Sequence, residues 1–133
     1  MEWGRFFLVM IAACAAASLS DWLFMGVLFH EKYGAAPELW RPSVGRQEGR
    51  RIIYSQVIGL LSCGAFAFLC VQANALTVGS SIVAAVLVWL AGPVVVIAQM
   101  VQWTKLHPLI GAAHTLGWLA RFIVTGLLAA WWL

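Results

Sequence analysis

The stretch GWLARFIVTGLL, residues 117–128, places a single arginine, Arg121, near the middle of an apolar run that extends from Pro108 to Leu133. A run of that length is enough to cross a bilayer, which takes about 20 apolar residues in a helix. A charge at the centre of such a helix costs about 2.5 to 3.5 kcal/mol on insertion scales, so Arg121 requires a partner. Asp21 is the only acidic residue in any apolar run of the chain, and it is the partner the sequence offers.

Composition supports the same class. The chain has 133 residues, of which 63% are hydrophobic and 10% charged, with a mean hydropathy of +0.91. Soluble domains are nearer half apolar and a quarter charged, so this is an integral membrane protein. The formal net charge of +3 does not point to nucleic acid, because the Lys and Arg residues gather beside helices that must lie in lipid. Cys14, Cys63 and Cys70 all fall in apolar runs without a CxxC pair, and read as small apolar residues at helix contacts. Arg5 followed by FFLVMIAACAAAS has the layout of a secretion signal, with small residues near Ala17. We read it as a retained first span.

The expected fold is an all-α integral membrane protein, a four-transmembrane-helix bundle with spans at about 6–29, 52–76, 81–103 and 108–133, in a single transmembrane domain covering residues 1–133. Pro108 suits a first helical turn, and Gly92 with Pro93 should kink the third span. Residues 30–51 form one longer basic cytoplasmic loop. That loop carries Lys32, Arg41, Arg46, Arg50 and Arg51, and Lys105 lies in the short loop on the same side. The opposite side has Arg5 alone, a six-to-one bias that puts the loops in the cytoplasm and both termini outside. The membrane expected is a bacterial inner (plasma) membrane. Trp40, Arg41, Arg46, Arg50 and Arg51 form a loop for lipid or partner contact, with Trp40 dipping toward the acyl boundary. Tyr33, Tyr54 and Trp103 read as members of interfacial aromatic belts.

Helical rise and topology put Asp21, His114 and Gln99 in one polar layer of the inner half of the membrane. Arg121 is higher, but helical side chains tilt toward the N-terminus, which aims its guanidinium at that layer. Ala13 and Ala17 precede Asp21 at helical spacing, as Gly111, His114 and Trp118 precede Arg121, so small residues permit close approach beside the polar ones. No HExxH, GxSxG, phosphate-binding glycine loop or carboxylate pair is present, and His107 with His114 is too sparse for a metal or haem site. The sequence therefore offers no catalytic residue, metal or cofactor.

The strings SDWLFMGVLFHEKYG (20–34) and GAAHTLGWLARFIVTGLLAAWW (111–132) resemble a bacterial family of small four-helix membrane proteins catalogued as domain of unknown function 1761. The resemblance implies a four-span bundle and supplies no activity. Three function classes then fit. The first is a non-enzymatic binding or structural module, or an accessory subunit, that associates in the bilayer with itself or a larger membrane complex. The second is an oligomeric solute or ion transporter or channel using the Asp/His/Arg layer, and the third a membrane enzyme acting on a lipid or quinone-like molecule. Small multidrug transporters also carry an acid in the first of four spans, but their antiparallel assembly needs nearly balanced loop charges, and Asp21 has an arginine at hand.

Overall fold

In the computed structural model the described residues are 1–41 and 45–133; Pro42, Ser43 and the side chain of Arg46, which the sequence reading puts in the basic loop, lie outside them. Among the described residues the fold is all-α, with four helical stretches long and apolar enough to cross a membrane: Trp3–Leu28, Gln47–Gln72, Val78–Trp103 and Pro108–Trp132. Their outward surfaces are rich in exposed Leu, Ile, Val and Trp, the pattern of a bundle whose solvent is lipid.

The first span is α1 (Trp3–Asp21) continued by a π-helical segment, Trp22–Leu28, and the second is α2 (Gly45–Gln72). The third comprises α3 (Val78–Trp89), a π turn (Leu90–Val94) and α4 (Val95–Trp103), and the fourth is α5 (Pro108–Trp132). The expected disturbance at Pro93 is that π turn, since a wider turn accommodates a residue without an N–H. The π segment that follows Asp21 is a feature the apolar run does not announce.

Local chemistry sets the helix ends, and it moves several expected boundaries. Helix α2 begins at Gly45, so the last residues of the expected 30–51 loop are helical; Gln, Glu and Arg are good helix formers, and the helix continues past the apolar run. It stops at Gln72 rather than Leu76. Asn74 takes a left-handed φ of 53°, and Ala75 N donates to Cys70 O at 2.8 Å while Asn74 N donates to Val71 O at 3.2 Å, a Schellman closure. A capping box between Thr77 and Ser80 then starts α3 at Val78, and His107 Nδ1 accepts from Leu109 N at 3.1 Å to cap α5, with Pro108 in its first turn.

Helix α5 is the hub, packed by α1, α2 and both parts of the third span. In the half of the bundle away from the loop after the first span, Phe6, Val9, Phe66, Ala85, Phe122 and Ala129 form a closed core, with the Phe66 and Phe122 rings 4.9 Å apart. Gly126 lets α5 meet α3 closely; a Cβ there would lie 3.2 Å from Ser81 O. Cys14, Cys63 and Cys70 are free thiols buried at helix contacts. At the other end Lys105 and Glu38 pair across the two loops at 3.3 Å, which places those loops on one side, opposite Arg5 and its partner Glu2.

Candidate functional site: a charge-paired cleft

Asp21 ends the regular α-helix of the first span, and Arg121 faces it from α5. Arg121 Nη2 donates to Asp21 Oδ2 at 2.5 Å, a direct contact between residues a hundred positions apart. The rest of the guanidinium is equally engaged. Nη1 donates to Ser62 Oγ on α2 at 3.2 Å, and Cζ lies 5.0 Å from the centre of the Trp118 ring. Two glycines make the space: a Cβ on Gly59 would lie 2.7 Å from Arg121 Nη1, and a Cβ on Gly117 would lie 2.7 Å from Asp21 Oδ1. A planar guanidinium with fixed partners on several edges is the form in which arginine is tolerated at depth.

The pair is not sealed into the core. The Arg121 side chain is 11% exposed and that of Asp21 25%. Both line a cleft of about 240 Å³ with Met25, Ser55, Ile58, Gly59, His114 and Trp118. The cleft exists because the π-helical end of the first span packs on α5 and has at most marginal contact with α2, so the first and second spans part there. Farther up, Ser18 Oγ donates to Gln56 Oε1 at 2.6 Å and joins these two spans again.

On the loop side the cleft is bounded by Tyr33, whose hydroxyl shares a 3.1 Å hydrogen bond with His114 Nε2. Tyr33 lies in a 3₁₀ segment, His30–Ala35, and its ring centre lies 4.8 Å from that of Trp40, tilted 50° to it; Trp40 follows a second 3₁₀ turn, Pro37–Leu39. Partial burial, and secondarily the carboxylate of Asp21, push the Tyr33 phenol above its usual pKa, so it stays a neutral hydrogen-bonding group. Glu38 is held below the usual carboxylate range by a backbone hydrogen bond and then by Lys105.

Three of the four expected layer residues, Asp21, His114 and Arg121, thus meet at one cleft. Gln99 does not: it stands exposed on α4 and is not among the lining residues. The π turn at Leu90–Val94 supplies the reason, because the extra residue in a wide turn rotates every face after it. Trp40 packs against Tyr33. Arg41, Arg50 and Arg51 line a second, more open cavity, of about 570 Å³, that shares Ser55 with the cleft. Tyr33, Gly59, Ser62 and Gly117 belong to the site and carry no distinguishing signal in the sequence.

With one carboxylate already engaged by arginine, the arrangement suits recognition of a polar group more than general acid and base work. No protein-family model matches the chain, and comparison with curated proteins and with solved structures finds no significant relative.

Proposed function

We propose that the chain is a non-enzymatic binding module of the membrane, and that its ligand site is the cleft between the first, second and fourth spans. One observation carries the reading: a charge pair that could have been packed shut instead lines an open space of about 240 Å³. A purely structural clamp gains nothing from a cavity beside it, whereas a binding site needs fixed polar groups in an otherwise apolar recess. Arg121, Asp21 and His114 supply the polar groups, and Met25, Ile58 and Trp118 the apolar wall. The ligand class is therefore a small amphiphile that reaches the cleft from the bilayer or past Tyr33.

A solute transporter is the second reading, favoured by the partial exposure of the Asp21 carboxylate. Against it, within one chain, the space beyond Arg121 is filled by the Phe66 and Phe122 core, so passage needs a second conformation or a second copy. An enzyme acting on a lipid or quinone-like molecule comes third. We further propose that both loops face the cytoplasm of a bacterial inner membrane, on the six-to-one distribution of basic residues, and that the chain is akin to the four-span family named above.

Mass spectrometry of molecules retained on the gently purified protein tests the binding reading. A species enriched on the native chain should fall at least about tenfold on Ile58→Trp, which sets a bulkier side chain in the apolar wall of the cleft. Equal retention on a folded Ile58→Trp protein would reject the cleft as a ligand site and leave the clamp.

A further inference from the structure

The basic cavity beside the cleft has its own architecture. It is lined by Arg41 from the loop and by Arg50, Arg51, Tyr54 and Ser55 from α2. Folding brings Arg41 to the two helix arginines across residues that differ from it by about ten positions, so the cluster is a product of tertiary structure and not of sequence adjacency alone. Neither Glu38, which pairs with Lys105, nor Glu48 on α2 is among the residues that line it.

Below the arginines, α2 presents an apolar stripe to the outside. Arg50, Tyr54, Val57 and Leu61 recur at helical spacing, and Tyr54, Val57 and Leu61 are 69%, 50% and 65% exposed. From Arg50 to Leu61 the helix rises about 16 Å at 1.5 Å per residue. One leaflet contributes half of a hydrocarbon core roughly 30 Å thick, and the apolar part of the stripe, Tyr54 to Leu61, runs along about 10 Å of it. A cluster of guanidiniums at the head of a stripe this long fits one ligand shape.

We infer that Arg41, Arg50, Arg51 and Tyr54 form a seat for the phosphate headgroup of an anionic glycerophospholipid, whose acyl chain lies along Tyr54, Val57 and Leu61. Guanidinium groups match phosphate oxygens with paired N–H donors, and the phenol of Tyr54 stands at the level where headgroup and chain meet. Because Ser55 is common to both cavities, the seated headgroup lies at the mouth of the cleft. This site is separate from the cleft's own ligand, and stands or falls without it.

The test uses the full chain in a neutral detergent and native mass spectrometry with equimolar phosphatidylglycerol and phosphatidylcholine of matched chains. The native protein should retain phosphatidylglycerol over phosphatidylcholine by at least about tenfold. The triple variant Arg41→Gln, Arg50→Gln, Arg51→Gln should lose most of that preference, while Arg5→Gln at the other end of the bundle keeps it. Lack of preference in the native protein overturns the seat, and this result needs no variant to fold. A preference that survives the triple change in a folded protein also overturns it. Millimolar inorganic phosphate should leave the bound lipid in place; displacement by phosphate alone would make this a soluble-phosphate site and overturn the lipid assignment. Loss of lipid preference with the Ile58→Trp ligand signal intact, or the reverse, distinguishes the two sites.

Discussion

The two halves of the bundle solve the problem of living in lipid in opposite ways. Away from the loops, Phe6, Val9, Phe66, Phe122 and small residues close the core mainly with apolar contact. Toward the loops, the same helices part around an arginine, an aspartate, a histidine and a tyrosine, and leave a cleft. Packing in the closed half fixes the helix axes; the open half then holds charges in a geometry those axes impose. The difference is one of means: where apolar packing gives way to the cleft, Arg121 ties the first, second and fourth spans together through Asp21 and Ser62.

If the halves differ in this way, substitutions should sort by half. The largest effect belongs to the charge pair: Asp21→Ala or Arg121→Ala strands a partner at depth and should lower stability by about 3 to 5 kcal/mol, read by unfolding in mixed micelles. Next comes Gly117→Ala, whose new methyl meets Asp21 Oδ1 and should cost about 1 to 3 kcal/mol, whereas Gly79→Ala, with open space around it, should be close to neutral. In the closed half, Phe122→Leu trims an aromatic contact and should cost about 1 kcal/mol while leaving ligand retention in the cleft unchanged. A large loss of ligand in Phe122→Leu would break the division between the halves.

The smallest effect concerns the rim. Tyr33→Phe removes the hydrogen bond to His114 and should cost about 0.5 to 1.5 kcal/mol. The folded state raises the Tyr33 pKa and so retains its proton longer than the unfolded chain does. Its contribution is therefore fully present through neutral pH and declines as pH climbs past the ordinary tyrosine range. The stability gap between native protein and Tyr33→Phe should close as pH passes above that range; a gap unchanged there would contradict the assignment.

Much of this was legible in the sequence because lipid leaves few options. Four apolar runs had to be helices, and a lone Arg121 and a lone Asp21 within them had to find each other. Depth along a helix can be counted, so the heights of His114 and Asp21 followed as well. Azimuth is harder. Gln99 was placed on the wrong face, because nothing in VWLAGPVVV says how far a π turn will rotate α4. The π segment after Asp21 was hidden for a related reason: its residues are apolar on every side, so no periodicity reports the change of pitch. Tyr33 looked like one more interfacial aromatic, and Gly59 and Gly117 like two more glycines. Their roles depend on what lies opposite them, which only the packed structure specifies.

The central claim is that Asp21 and Arg121 act as one intramolecular unit. A double-mutant cycle over Asp21→Ala and Arg121→Ala, with stability as the readout, tests it most directly. The account predicts that removing both costs less than the two single losses added together, by about 2 to 3 kcal/mol, because the double variant leaves no uncompensated charge in the membrane. A double variant as unstable as the sum of the singles would show two residues that do not depend on each other, and would contradict the account.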